Sequence, residues 1–149
     1  MLWISHRGNL NGPTKDENHP TYISKALSSG FDIEIDVWHI DGSYYLGHDE
    51  PQYQIDQSFL NNKKFWCHAK NANALTEMIK SGIHCFWHDK DEATLTSQGH
   101  IWCYPEKYFK NSIIVDFGLP RDLSTWHLKG ICTDIPARWR NEYEQILEK

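Results

Sequence analysis

Residues 30–49 read Gly30-Phe31-Asp32-Ile33-Glu34-Ile35-Asp36-Val37-Trp38-His39-Ile40-Asp41-Gly42-Ser43-Tyr44-Tyr45-Leu46-Gly47-His48-Asp49. In the first half Ile33, Ile35 and Val37 alternate with Asp32, Glu34, Asp36 and Trp38. That is the period-two pattern of a strand rich in β-branched residues. The period sets Glu34 and Asp36 side by side on one face, where two carboxylates repel unless a cation lies between them. Asp41-Gly42 is a hairpin turn, and the return arm Tyr44-Tyr45-Leu46 brings His48-Asp49 back towards the carboxylates. The stretch predicts a site as well as a strand.

On its amino-terminal side, residues 2–5 form a short apolar strand that ends in His6-Arg7-Gly8. A polar loop follows, then a helix from Pro20 with Tyr22, Ile23, Ala26 and Leu27 at helical spacing and Gly30 as its stop. On the carboxyl side, strands are expected at 64–70, 83–87, 100–104, 112–116 and 129–134, and helices at 72–81, 91–97 and 136–147. Cys67, Cys85 and Cys103 recur at an 18-residue interval, each inside a strand. A strand at that interval with a short helix between is a βα repeat, which implies parallel strands. With an eighth strand in 122–128, the expectation is an α/β chain, one domain over 1–149, folded as a compact (β/α)8 TIM-barrel-like unit. Such barrels usually need roughly 200 residues or more. The outer helices are therefore expected to be shortened or missing, or the barrel incomplete. The strand ends of such a fold gather reactive groups, and here they carry His6, Arg7, Glu34, Asp36, His68, Lys70, His88, Asp89, Tyr104, Glu106, Asp116, Thr133 and Asp134.

Composition narrows the function classes. A chain that is 40% hydrophobic and 13% aromatic is globular. No apolar run is long enough to span a bilayer, and the first strand leaves no room for a signal peptide, so a cytoplasmic protein is expected. The formal charge of −5, with no cluster of Lys or Arg, argues against nucleic acid as a partner. Cys67, Cys85, Cys103 and Cys132 have no C-x-x-C spacing and are read as buried free thiols. Trp66, Trp87 and Trp102 are expected to fill the barrel interior.

Six segments together, H-R-G at 6–8, E-N at 17–18, E-I-D-V at 34–37, D-G at 41–42, H-D at 48–49 and G-I-C-T-D-I-P at 130–136, resemble the glycerophosphodiester phosphodiesterase family, among the phospholipase-C-like phosphodiesterase barrels. The resemblance implies metal-dependent hydrolysis of a small phosphodiester, with His6 and His48 as the acid–base pair. It implies Glu34 and Asp36 as metal ligands and Arg7 as a phosphate contact. The family's third carboxylate comes from E-x-K on the third strand. Here that place reads His68-Ala69-Lys70, so Lys70 fits and His68 replaces the glutamate. Magnesium or calcium suits oxygen ligands, whereas His68 as a ligand admits manganese or zinc. His19 stands where the family has threonine. Two other readings stand beside the hydrolase: a cyclising phospholipase-C-like lyase, and a degenerate barrel that binds phosphorylated ligands without turnover. His88 and Asp89 are expected to neighbour the site, Glu106, Asp116 and Asp134 to cap loops and helices, and Glu17 and Asn18 to organise their loop. His39, His84, His100 and His127 are read as structural or surface groups.

Overall fold

In the computed structural model, which describes residues 1–148, the alternating stretch is the hub of the sheet. Strand β1 (Leu2–His6) precedes helix α1 (Pro20–Ser28), and the stretch itself is β2 (Asp32–Ile40) followed by β3 (Ser43–Leu46). Next come β4 (Tyr53–Ile55), β5 (Phe65–Ala69), helix α2 (Ala72–Lys80), β6 (Cys85–Phe86), β7 (Ala93–Leu95) and β8 (Ile101–Cys103). The chain closes with β9 (Ile113–Val115), β10 (Gly130–Thr133) and helix α3 (Pro136–Leu147). Along its first half β2 pairs in parallel with β1 on one side and β5 on the other. Its last residues pair antiparallel with β3. From β1 the parallel run continues through β10 and β9 to β8, and from β5 to β6.

Among the described residues the architecture is a ten-stranded mixed sheet, curled into a half-barrel, with three α-helices. This corrects the expected (β/α)8 barrel. Residues 91–97, read as a helix, hold β7, which turns back antiparallel on β8. Thr94 and Thr96 are β-branched, and Thr96 N–H donates to the His100 carbonyl at 2.8 Å across a tight turn. Residues 122–128 contain no eighth strand, only a single 3-10 turn at Ser124–Trp126. The first 18-residue interval, Cys67 to Cys85, is a helix-linked parallel unit through α2 with the two cysteines in register; the second, Cys85 to Cys103, holds β7 in place of a helix and joins strands that do not pair. Between β6 and β8 the sheet does not join; Ser97 spans the seam, its N–H donating to the Cys85 carbonyl at 2.7 Å and its Oγ accepting from Cys85 N–H at 3.0 Å.

Burial follows the sequence period. Ile33, Ile35 and Val37 pack outward under α1 and α2 with Phe31, Ile23, Ala26 and Met78. On the concave side Ile4, Trp66, Phe86, Trp102, Ile113, Val115 and Cys132 fill the interior. Trp66 and Trp102 thus sit where the sequence placed them, whereas Trp87 is exposed. Helix α3 lays Trp139 and Tyr143 against Ile114 and Ile131, covering the strands that lack crossover helices of their own. All four cysteines are buried free thiols. Among the described residues no helix is long and apolar enough to cross a membrane.

Candidate metal centre and anion pocket

The concave face of β2 carries Asp32, Glu34 and Asp36, because the outward residues are claimed by the helices. Glu34 and Asp36 are 3% and 0% exposed, which is costly for two carboxylates without compensation. Asp36 receives it from several directions. Arg7 Nε lies 3.1 Å from its Oδ2, Lys70 Nζ 3.6 Å from its Oδ1, and His68 Nδ1 3.4 Å from the same Oδ1. Glu34 is served less well: its nearest basic atoms are His6 Nε2 and His68 Nδ1, each at 3.8 Å.

Local backbone geometry aims these groups. The chain leaves β1 with Arg7 at φ 56° and Gly8 at φ 88°, and a Cβ on Gly8 would meet the Tyr22 ring at 3.0 Å. Arg7 N–H donates to the Glu34 carbonyl at 2.9 Å, and the Arg7 carbonyl accepts from Asn18 N–H at 3.0 Å. The buried Asn18 then grips Asp36 twice: its Nδ2 donates to Oδ2 at 2.9 Å and its Oδ1 accepts from Asp36 N–H at 3.0 Å. His48 depends on Gly47, at φ 151°, where a Cβ would fall 2.0 Å from the Glu50 carbonyl oxygen. Trp38 Nε1 donates to the Gly47 carbonyl at 2.7 Å and pins that loop to the hairpin.

One cavity of about 340 Å3 is walled by His6, Arg7, Glu34, His48, His68 and Lys70, with His88, Asp89 and Tyr104 on its far side. The expected site residues thus converge, with Asp36 directly behind the wall. His48 is at the rim, 41% exposed, its Nδ1 2.8 Å from Asp49 Oδ1. His88 is half-buried beside the cavity; its Nδ1 lies 2.6 Å from Asp91 Oδ1, and its Nε2 has no hydrogen-bond partner. Asp116 instead pairs with Arg121 at 2.6 Å, and Glu106 lines a neighbouring cavity.

Two residues were undervalued by the sequence. Asp134, expected only to cap, holds His6: its Oδ1 is 2.7 Å from His6 Nδ1 and accepts from Asn9 Nδ2 at 2.8 Å. Asn18 does more than organise its loop, since it fixes the orientation of Asp36. The signal for Asp134 is its place one residue beyond Thr133, which registers with Ser5; that pairing of first and last strands is invisible in the chain order.

The electrostatics separate the two carboxyls. Burial and the neighbouring Asp36 push Glu34 above the usual carboxylate range, with His6 and Arg7 opposing. Burial also works against ionised Asp36, but His68 in its protonated form and the charges of Arg7 and Lys70 prevail and hold it well below that range. For His6, burial is outweighed by the Asp134 hydrogen bond and by Glu34, so its pKa is raised.

Glu34, Asp36 and His68 form a group that could hold a metal ion, one ligand atom from each lying within 4.8 Å of the others. Glu34 Oε2 and Asp36 Oδ1 are buried without hydrogen-bond partners. His68 Nε2 lies 3.2 Å from the His88 carbonyl, an acceptor that requires the proton on Nε2. In the neutral ring that leaves the Nδ1 lone pair facing both carboxylates. With His68 neutral in this tautomer, three electron-pair donors face one another without a shared proton, which is the donor set of a cation site. Comparison of the chain with protein-family models, curated proteins and solved structures gave no match.

Proposed function

We propose that this chain is a metal-dependent hydrolase of small phosphodiesters, of the kind its sequence motifs resemble. The observation that carries the reading is the convergence of Glu34, Asp36 and His68, with unpartnered oxygens, on a cavity that also holds Arg7, Lys70, His6 and His48. Paired carboxylates alone would be a weak signal; carboxylates, fixed cations and two histidines around one cavity match what an anionic diester requires. A divalent ion held by Glu34, Asp36 and His68 would neutralise phosphoryl oxygens and stabilise the charge that develops on displacement.

The chain's own groups do the rest. Arg7 has Nε against Asp36 and Nη1 against Glu17, at 3.1 Å each, which leaves donors of its five for a phosphoryl oxygen. Lys70 adds a second fixed charge. His48, at the open rim, takes a proton from the attacking water. His6, seated on Asp134, gives a proton to the departing alcohol as the phosphorus–oxygen bond breaks, and solvent resets both rings. Proton transfer of this kind is worth roughly 10²–10⁴-fold. The carboxylate under His6 orients the ring and favours its charged form.

A second reading, a phospho-ligand binder without turnover, draws on the fact that Arg7 and Lys70 already face Asp36. A panel of glycerophosphodiesters assayed after chelation, then with Mg²⁺, Ca²⁺, Mn²⁺ or Zn²⁺ restored, separates the two. The hydrolase loses turnover on chelation and regains it with at least one ion; calorimetry shows that ion bound by the wild type and not by Glu34→Gln. Turnover that survives thorough chelation excludes the metal role. Binding of the diester without consumption under any ion favours the second reading, and a lasting cyclic phosphate in the phosphorus NMR spectrum identifies a lyase.

A further inference from the structure

Beyond the anion pocket, on the side of β9 and β8, lies a second and larger cavity of about 470 Å3, within the range of ligand sites. Its apolar walls are Pro105, Ile114, Val115, Phe117 and Trp126. Pro105, Val115 and Phe117 also line the anion pocket, so the two cavities share a wall. Phe117 stands at the junction, its ring centroid 5.1 Å from that of His6. It is 50% exposed, and the same loops leave Tyr108, Phe109 and Leu119 exposed as well. Aromatic and aliphatic groups gathered in the open beside a charged pocket signal an apolar partner, whereas a single exposed leucine would not. The missing crossover helices after β8 and β9 are what leave this space uncovered. The charged groups present, the Asp116–Arg121 pair with Glu106 and Lys107, bound the cavity without filling it.

We propose that this cavity is the subsite for an alkyl arm on the alcohol of the diester, which makes the substrate an amphiphilic phosphodiester; the inference rests on the phosphodiesterase reading above. With the phosphoryl group between Arg7 and Lys70, an apolar path out of the anion pocket runs over Phe117, Pro105 and Val115. An alkyl arm laid there removes apolar surface from water on both sides. A polyol arm could reach the charged groups at the cavity's edge but would gain nothing from the apolar faces of Phe117 and Trp126.

The test is a series of glycerophosphodiesters in which the second alcohol is methanol, butanol or hexanol, short enough to stay monomeric. Consumption is followed by phosphorus NMR with the restoring ion, and Kd by calorimetry in chelator. The expected result is a rise in kcat/KM of at least ~10-fold from methyl to hexyl, with Kd falling in parallel. Phe117→Ala removes most of that rise, and Phe117→Leu retains it; the hexyl-to-methyl ratio cancels any effect on the chemical step, and the exposure of Phe117 lets both variants fold. Diesters consumed at a rate independent of chain length overturn the subsite and leave the hydrolase reading intact. If no diester is consumed, the hydrolase reading fails, and the dependence of Kd on chain length decides the subsite by itself.

Discussion

The same strands end in two histidine clusters, and the two could hardly be more different. At the amino ends of β2, β5, β6, β8 and β10 lie Asp32, Trp66, His84, His100 and Lys129. Towards or beyond the carboxyl end of the parallel pairing lie Glu34 and Asp36, His68, His88, Tyr104 and Asp134. At the amino ends every group finds a neighbour. Trp66 Nε1 donates to Asp32 Oδ2 at 3.0 Å, Lys129 Nζ to His100 Nδ1 at 2.7 Å, and His84 Nε2 bonds Thr96 Oγ1 at 2.9 Å. The rings of His84 and His100 pack against Trp66 at 4.4 and 5.3 Å. At the carboxyl ends, Glu34 Oε2, Asp36 Oδ1 and His88 Nε2 are buried without hydrogen-bond partners. Polar groups that satisfy one another are structure; buried ones without partners mark where a ligand could bind.

The largest effect expected from breaking this contrast is at Asp36. On the hydrolase reading Asp36→Asn lowers kcat/KM at least ~10²–10³-fold. Asp36→Ala also lowers unfolding stability by about 1–3 kcal/mol in urea, because the buried Asn18 amide loses its acceptor. A variant with wild-type turnover removes Asp36 from the site. Next come the two histidines: His6→Ala and His48→Ala each reduce kcat at least ~10²-fold, and near-normal turnover in either would exclude that ring from the proton transfers.

Asn18→Ala is expected to weaken metal affinity by about 10–100-fold, read by calorimetry, since it frees Asp36 to turn. An unchanged affinity would make Asn18 a loop residue only. The smallest effect lies at the opposite end. Burial first, then the neighbouring His100 and Lys129, press His84 down to about 4, so the unfolded chain takes up its proton first. The stability His84 leaves intact above pH ~6.5 is therefore lost as pH falls through about 4. His84→Gln, which can still bond Thr96, should show a shallower loss of urea midpoint over that window than the wild type. Parallel curves for the two proteins would remove His84 as the cause.

Much of the candidate site's arrangement was legible before the fold. Glu34 and Asp36 share a face because a strand has period two, and the hairpin that returns His48 is written in Asp41-Gly42. His68 and Lys70 are the same argument applied to β5, whose Asp36↔His68 register brings them beside β2. Asp134 under His6 was not legible, because it depends on the last strand pairing with the first. Nor was Asn18, whose two bonds to Asp36 require a loop folded under the strand ends with Asn18 itself at φ 62°.

The fold class was where local pattern misled. A strand at an 18-residue interval fits a helix between strands equally well as a hairpin arm or a bare loop, since spacing constrains chain length and not the path taken. The alternation within each segment, set by the two-residue period of the backbone, determined which side chains go inward. The curl of the sheet, its open seam at Ser97, and the uncovered cavity beside Phe117 were decided by tertiary structure alone. They depend on which strands meet and which helices are absent, and those are contacts between residues far apart in the chain.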